Sequence, residues 1–229
     1  MTTATETKQL PFTDDGFQSF LQTRSEPAWL TDIRTKAWQR FGEMPWPSNK
    51  DEEWMRTDIR MFHLEKFSIP GVRTAPAEVT AVLSAGVELA GSSSSCDGVS
   101  TCKPTLDPAL ADQGVIFGNL ADLVEQHGEL IQKYLFQTVG GSIDRFAALH
   151  QAAWTNGTFL YVPRNVCIEQ PIHTIATMTA GGSDFSHTLI VLEEGAEATV
   201  LAESTNNENE TGLHCGAIEI YVGDRANLR

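Results

Sequence analysis

The 229-residue chain carries 30 acidic and 16 basic side chains, a formal net charge of -14 at pH 7. A surface this negative repels phosphate backbones and anionic lipids, so we expect neither a nucleic acid nor a membrane as a partner. No run approaches the ~20 apolar residues that a membrane span needs, and the start of the chain lacks a signal-peptide core. These absences predict a cytoplasmic protein.

Helices are predicted first along the chain. Apolar residues on one face indicate a helix over residues 14–24 and another over 27–42, which Pro45-Trp46-Pro47 prevents from continuing. Residues 51–59 predict a short helix that leads into a turn. We expect the tryptophans of this region to form a helical mini-core, or a patch that docks onto later strands, rather than a ligand cage. They are Trp29, Trp38, Trp46 and Trp54.

The middle of the chain is predicted to be a mixed segment. Its Gly-Ser-Ser-Ser-Ser run at residues 91–95 predicts a flexible loop tip between weak strands at 87–90 and 100–103. Residues 115–117 indicate a strand between two helices, and an apolar stripe over 120–135 marks the later helix. One more helix is expected over 143–154.

A strand–corner–strand pattern recurs about every thirty residues in the last third of the chain. The strand-like runs cover residues 158–162 and 166–168, then 188–192 and 198–201, then 218–222 and 226–228. The second and third copies align Gly195 with Gly223 and Ala198 with Ala226, 28 positions apart. A fixed period of this size indicates stacked units that cannot bury their apolar faces alone, and short strands with Gly or Pro corners favour a β-solenoid.

The last repeat ends inside the second strand of a coil, which would leave an open sheet edge. We therefore expect the chain to be the N-terminal part of a longer polypeptide, with dimerisation through the exposed edge as the alternative. The predicted fold class is α+β, mainly β. It comprises a helical region at 1–67, a mixed α/β connecting segment at 68–156 and the start of an incomplete solenoid at 157–229.

Several motifs in order resemble one known family. They are Trp29, Arg34 and Phe41 with Pro45-Trp46-Pro47, then residues 52–58, 146–154, 157–163, Pro171-Ile172 and 186–196. Together they resemble the N-terminal region of the SufB/SufD family, which builds iron–sulfur clusters with the ABC-type ATPase SufC. The Glu-Glu-Trp-x-x-Thr-Asp element at 52–58 favours the SufD branch, whereas the Glu-Pro-Ala-Trp-Leu opening at 26–30 is closer to the SufB branch.

The resemblance implies a fold and a role. Family members have a helical N-terminal region, a right-handed parallel β-helix and a C-terminal helical domain that docks SufC. The implied function is a noncatalytic scaffold subunit of a SufBCD-type complex, with SufB-like and SufC-like partners and the iron–sulfur cluster handled by the whole complex. The family's functional cysteine and histidine belong to later coils, so we assign no catalytic, cofactor-binding or metal-binding residue to this chain.

Two alternatives remain open. One is a SufB-like paralogue that itself holds the nascent cluster. The other, less favoured, is a β-helix enzyme that acts on acidic polysaccharides, because the coils offer Arg164, Arg225 and scattered glutamates but no aligned cluster. The chain has no glycine-rich phosphate loop, so we do not expect it to be the ATPase.

Histidines and cysteines are the remaining candidates for chemistry. His214 and Cys215 are adjacent, and since neighbouring strand residues point to opposite faces, we do not expect them to share a metal. Cys167 is predicted to be a small buried hydrophobe. His173 and His187 are 14 residues apart, about half a coil, which places them on different walls.

Cys96 and Cys102 lie in the serine-rich region. Their spacing matches no common metal knuckle, and we expect both to be solvent-exposed. None of the four cysteines forms a Cys-x-x-Cys pair, so reduced thiols are expected throughout.

Overall fold

A computed structural model describes residues 10–70, 81–206 and 211–229. Residues 1–9 of the predicted helical region and 71–80 of the connecting segment therefore lie outside the description. The five helices of the described residues are α1 (Asp14–Gln22), α2 (Ala28–Glu43), α3 (Pro108–Asp112), α4 (Leu120–Tyr134) and α5 (Arg145–Ala153). Single 3₁₀ turns cover Glu52–Trp54, Ile59–Met61 and Leu64–Lys66.

The strands follow mainly after α2. They are β1 (Gly91–Cys96), β2 (Val99–Ser100), β3 (Thr105–Leu106), β4 (Ile116–Asn119), β5 (Thr158–Val162), β6 (Ile172–Met178), β7 (Ser183–Asp184), β8 (His187–Leu192), β9 (Glu197–Ala198), β10 (Val200–Asn206), β11 (Leu213–His214), β12 (Ala217–Val222) and β13 (Asn227–Leu228). The helices predicted over 14–24, 27–42, 120–135 and 143–154 and the strands at 158–162, 188–192 and 218–222 are thus confirmed to within a few residues. The short helix predicted over 51–59 is reduced to a 3₁₀ turn at Glu52–Trp54 and the start of another at Ile59. None of the helices in the described ranges is both long and apolar enough to cross a bilayer.

Helix starts are set by short polar side chains. The Thr13 hydroxyl accepts a hydrogen bond from the backbone N–H of Gly16 at the start of α1, at 3.2 Å. At the start of α5 the Asp144 carboxylate accepts a hydrogen bond from the backbone N–H of Ala147, at 2.7 Å. These bonds satisfy N–H groups that the first helical turn leaves without intrahelical partners. They also fix where α5 begins relative to the strands that follow it.

Two sheets and two short strand pairs organise the second half of the molecule. The first sheet has the order β10-β6-β1-β2, with β3 also pairing with β1, and the second has the order β12-β8-β5-β4. The short pairs are β11-β7 and β13-β9. Pairings between successive repeats are parallel, whereas β1-β2, β1-β3 and β4-β5 are antiparallel. The α+β class is therefore confirmed, and the division into three regions stays a prediction.

The strand register confirms a repeat of about thirty residues, and at the corners the spacing is 30 positions and not the 28 of the alignment between the second and third copies. Leu228 pairs with Ala198 and Asn227 with Glu197, so the alignment of Ala198 with Ala226 is wrong. The alignment of Gly195 with Gly223 is wrong for the same reason. Among the described strand pairs, a 28-residue offset holds only between β6 and β10. The reason is that the segment from Cys167 to the start of β6 is two residues longer than the segment from its partner Glu197 to the start of β10.

The corner itself explains the true equivalence. Asn165, Gly195 and Arg225 follow one another at 30-residue spacing and have φ angles of 59°, 70° and 57°. This left-handed conformation is easiest for glycine and tolerated by asparagine. A glycine-based alignment misses it because the third copy has an arginine at the corner.

Apolar side chains form two cores on the two faces of the second sheet. Leu189 and Val191 of β8 pack with the helices in the first core, which includes Phe17, Phe20, Leu149 and Trp154. The alternate residues Ile190 and Leu192 pack in the second core, with Leu160, Val162 and Ile172. This alternation is the two-residue period of a strand whose faces are both covered. Stacked equivalents therefore share a core.

The last strand of the second sheet is an exception to this burial. Ile218, Ile220 and Val222 of β12 are 57%, 48% and 50% exposed. They pair with Thr188, Ile190 and Leu192 of β8. They therefore continue the row of side chains on the face of the sheet that covers the second core, here called the inner row. Within the described ranges no strand pairs with β12 on its other side. Their exposure follows from that open edge.

The serine run at 91–95 is a strand, and the predicted loop tip is wrong. It forms most of β1, which runs parallel to β6 with Gly91 opposite Ile172. Ser93, Ser94 and Ser95 line a cavity of about 200 Å³ together with residues of β6, β8 and β12. Neighbouring hydroxyls supply partners, as in Ser94 Oγ to Thr101 Oγ1 at 2.5 Å. The predicted strand at 87–90 is also wrong, and that at 100–103 reduces to Val99–Ser100.

Candidate functional site: a buried histidine–glutamate network

Three ionisable side chains form a continuous chain beneath the helices. Nε2 of His150 lies 2.9 Å from Nδ1 of His187, and Nε2 of His187 lies 3.0 Å from Oε2 of Glu219. The residues are 2%, 0% and 1% exposed, respectively. Ionisable groups this deep occur where each polar atom has a partner.

The three residues come from different elements, which the fold fixes in place. His150 is on α5, His187 begins β8 and Glu219 is on the outer face of β12. The backbone of His187 is fixed where its N–H donates to the Asn156 carbonyl at 2.8 Å. Next to it, Gly157 has φ 148°, and a Cβ there would lie 1.8 Å from the His187 carbonyl oxygen. Only glycine permits this close approach of two backbones.

The Glu219 carboxylate also binds the turn between α4 and α5. It accepts hydrogen bonds from the backbone N–H groups of Phe136 at 2.5 Å, Thr138 at 2.7 Å and Val139 at 3.0 Å. The Thr138 hydroxyl donates at 2.8 Å. Burial raises the pKa of Glu219, but hydrogen bonds from His187 and the turn outweigh it and lower the pKa to about 2. Glu219 is therefore a carboxylate at neutral pH.

The protonation of His150 follows from its two partners. Its Nδ1 lies 2.7 Å from the Cys215 carbonyl oxygen, which can only accept, so Nδ1 carries a hydrogen. Burial is the main cause that lowers the pKa of His150, to about 3. The ring is therefore neutral, and its Nε2 accepts a hydrogen bond from Nδ1–H of His187. This places one proton of the network unambiguously.

His214 and Cys215 have different surroundings, in line with the prediction from strand alternation. Nδ1 of His214 lies 2.8 Å from Oδ2 of the buried Asp184. This hydrogen bond raises the pKa of His214, although partial burial acts against it. The Cys215 thiol lies 3.7 Å from the Phe146 carbonyl oxygen, and burial raises its pKa to about 12. Cys215 is thus a thiol at neutral pH, which is a poor metal ligand.

Two cysteine predictions are wrong. Cys167 is exposed rather than buried, because its neighbours Val166 and Ile168 point into the second core and alternation turns it outward. Cys96 is fully buried rather than exposed, because it ends strand β1 inside the first sheet. Cys102 is exposed, as expected. In the parts of the chain that the structure describes, no group of three or more His, Cys, Asp or Glu side chains could hold a metal ion.

The prediction that His173 and His187 lie on different walls is confirmed. His173 is on β6 of the first sheet and His187 on β8 of the second. Nε2 of His173 lies 3.4 Å from Oε1 of Glu203, so its neighbour is a different carboxylate. The two histidines belong to separate environments.

The tryptophans form the expected helical mini-core. Trp38 stacks on Phe17 with ring centroids 4.5 Å apart. Trp54 stacks on Phe146 of α5 at 5.2 Å, and Trp46 meets the same ring edge-on at 5.4 Å. Trp29 packs against the first core. These contacts fasten the N-terminal region to α5.

Sequence reasoning missed the network itself. One signal was present: Glu219 is a charged residue between Ile218 and Ile220 in an apolar strand. His150 lies inside the 146–154 motif, where it could be placed on a helix but not against a partner. The contacts join residues up to 83 positions apart, which a strand pattern cannot specify.

Comparison with known proteins gives consistent results. Residues 15–174 match the family model described as the SufBD protein N-terminal region. Residues 174–229 match the model of the SUF system FeS cluster assembly SufBD core domain. An iron–sulfur cluster assembly protein SufD of Bacillus subtilis is 28% identical over 218 residues, which cover 92% of this chain and 49% of that protein.

Staphylococcal proteins give a similar picture. An iron–sulfur cluster assembly SufBD family protein of Staphylococcus epidermidis is 28% identical over 227 residues, covering 90% of this chain and 47% of its own length. One of Staphylococcus haemolyticus is 26% identical over 233 residues, covering 95% and 49%. The chain thus spans about half the length of these relatives, and the resemblance found in the motifs is confirmed.

Proposed function

Because the chain belongs to the SufBD family, we propose that it acts as a SufD-type, noncatalytic scaffold subunit of a cytoplasmic SufBCD-type complex that assembles iron–sulfur clusters. The observation that carries this proposal is the match of two consecutive family models over residues 15–229. The proposed partners are a SufB-like subunit and a SufC-like ATPase. The cluster is the cargo of the complex, and we assign no cofactor to this chain.

The strand register supports a parallel β-helix as the frame of this scaffold. Phe159 pairs with Leu189 on one wall and Ser183 with Leu213 on another, each at 30-residue spacing. Such repeated parallel pairing on several walls is what stacked coils require. In this proposal the coils are right-handed as in the family, and the exposed side chains of β12 form a surface on which a further parallel strand can stack.

Several features favour a scaffold over a catalyst. The His150–His187–Glu219 chain is buried from end to end and ties elements together. Cys215, the cysteine nearest to it, has a raised pKa and no activating partner. The polysaccharide-acting alternative gains no support, because Arg164 and Arg225 both pair with Glu194 at a coil corner instead of forming a site.

Co-purification tests the proposal directly. The protein is tagged and co-expressed with untagged SufB-like and SufC-like proteins from the same genome. We expect a stable complex on size exclusion, and ATP hydrolysis that requires the SufC-like subunit. Recovery of the tagged protein alone, with neither partner in repeated pull-downs, contradicts the scaffold role.

The SufB-like alternative has one observation in its favour, the Glu-Pro-Ala-Trp-Leu opening at residues 26–30. Anaerobic reconstitution of the protein with iron and sulfide distinguishes the SufD-type from the SufB-like function. A scaffold subunit of the SufD type is expected to retain no visible chromophore after desalting. A cluster that stays bound to the isolated subunit favours the SufB-like reading.

A further inference from the structure

We propose that His187 and Glu219 form a buried imidazolium–carboxylate pair that holds the turn between α4 and α5 against β12. This pair is here called the latch, and it forms when one additional proton is bound to His187. The proposal concerns a property of the fold and does not rest on the proposed role in cluster assembly. It follows from hydrogen-bond accounting along the network and from the backbone of the turn.

The hydrogen-bond partners of His187 determine which of its ring nitrogens carry hydrogens. Since Nε2 of the neutral His150 accepts, Nδ1 of His187 must carry the hydrogen of that 2.9 Å bond. Its other nitrogen, Nε2, lies 3.0 Å from Oε2 of Glu219, an oxygen that also accepts from Phe136 N–H. Two lone pairs facing each other at this distance repel in a dry environment. Nε2 therefore carries a hydrogen as well, and His187 is an imidazolium.

The turn held by this pair contains a strained residue. Phe136 has a φ of 60°, a left-handed conformation that is costly for a residue with a bulky side chain. Its N–H is held by Glu219 at 2.5 Å, and its ring packs edge-on against His187 with centroids 4.8 Å apart. Both partners of the latch thus contact the strained residue, one through its backbone and one through its ring.

Other ionisable groups lie close to the network on the elements packed around it. Arg34 of α2 and His214 of β11 act on His150 and lower its pKa. Tyr221 of β12 lies 3.4 Å from Oε1 of Glu219 and donates to the Tyr134 carbonyl of α4 at 2.8 Å. Burial raises the pKa of the Cys215 thiol, and the charges of Asp144 and Asp184 raise it further. In the described part of the chain, none of these groups occupies the space between His187 Nε2 and Glu219.

The Glu219 carboxylate keeps its charge at neutral pH. Burial raises the pKa of its carboxyl, but hydrogen bonds from His187 and the turn outweigh burial and lower the pKa to about 2. The negative partner of the pair is therefore present, and the hydrogen on Nε2 of His187 completes the bond between them.

Nitrogen NMR of the histidine rings tests the protonation directly in the wild-type protein. At pH 7 we expect His187 to show both ring nitrogens protonated, with His150 as the neutral Nδ1–H form. A neutral His187 in the folded protein at pH 7 overturns the proposal. This measurement needs no variant, so it remains decisive if substitutions prevent folding.

Amide exchange of the turn provides the second readout. Glu219→Gln removes the negative charge and replaces Oε2 or Oε1 with an N–H donor that cannot accept from the turn. We expect exchange at Phe136, Thr138 and Val139 to rise about tenfold or more and His187 to become neutral. Glu197→Gln, at an exposed carboxylate of β9, is the matched control and is expected to change neither. Unchanged exchange at 136–139 in Glu219→Gln overturns the latch.

Discussion

Replacing Arg34 by methionine is expected to be among the most damaging single changes in the N-terminal region. The guanidinium is fully buried and donates to both oxygens of Glu26, at 2.7 Å and 2.8 Å. It also donates to the carbonyls of Ala152 at 3.0 Å and Trp154 at 2.7 Å. Burial lowers the pKa of Arg34 to about 10, with Glu26 acting against it. The side chain is therefore still a cation at neutral pH.

The magnitude follows from what methionine leaves behind. It fills most of the space but abandons two carbonyl oxygens at the end of α5 and a carboxylate that is only 10% exposed. Removing one member of a buried ion pair costs roughly 3–5 kcal/mol. Arg24 remains 2.5 Å from Glu26 and keeps part of its charge balanced. We therefore expect the free energy of unfolding to fall by about 3 kcal/mol, which lowers the urea midpoint by about 1 M.

Urea denaturation followed by tryptophan fluorescence measures this change. Arg60→Met is the control, because Arg60 pairs with Asp58 but its side chain is 88% exposed, and its effect should stay within about 0.5 kcal/mol. Arg34→Met combined with Glu26→Gln should cost clearly less than the sum of the single changes, because the second substitution removes the stranded charge. Additive effects, or an Arg34→Met protein as stable as wild type, would show that the buried pair does not hold α2 to α5.

Three further outcomes are expected from unfolding experiments. Ile190→Ala should lower the free energy of unfolding by about 3 kcal/mol, because Ile190 is buried. Ile220→Ala, at the stacked but half-exposed position, should lower it by less than about 1 kcal/mol. Equal losses in urea titrations would contradict the assignment of a buried and an exposed position to the same row of side chains. Gly157→Ala should lower the free energy of unfolding by more than about 4 kcal/mol, because the added Cβ would collide with the His187 carbonyl oxygen. An unchanged melting temperature would contradict that close approach of the two backbones. Because the folded pKa of His150 is depressed from 6.5 to about 3, the stability it contributes is present above pH 6.5 and is lost as pH falls toward 3. Between pH 7 and pH 5 wild type should therefore lose about 2 kcal/mol more than His150→Gln, and parallel losses would refute a neutral buried His150.

Local sequence chemistry was enough to predict the elements that have strong periodic patterns. The stripe of α4 and the apolar runs of β5 and β8 each bury side chains at the spacing of their own structure. Trp38 and Trp54 were placed correctly in a mini-core, because large aromatic rings beside helices seldom stay exposed. Such predictions succeed when burial of the element's own residues decides its structure.

Strand β1 shows where this reasoning fails. Its serines have the composition of a loop, and only the pairing with β6, some 80 positions further along the chain, makes them a strand. The same holds for Cys96, whose burial follows from the sheet and not from its neighbours in sequence. Propensity describes a residue's fit to a half-buried surface, and it is overridden when another strand supplies the hydrogen bonds.

The corner residues carry the more general lesson about the repeat. Gly195 and Gly223 look equivalent because glycine is the residue that turns most easily, but the register assigns the corner to Arg225. Glu219, on the strand before that corner, lies on the face of β12 that the helices cover, while Ile218 and Ile220 continue the inner row. A shift of two residues in the alignment preserves this alternation of faces but assigns each side chain to the wrong stacked partner. The repeat therefore predicts which residues face the helices, whereas the pairing of His187 with Glu219 depends on the 30-residue register.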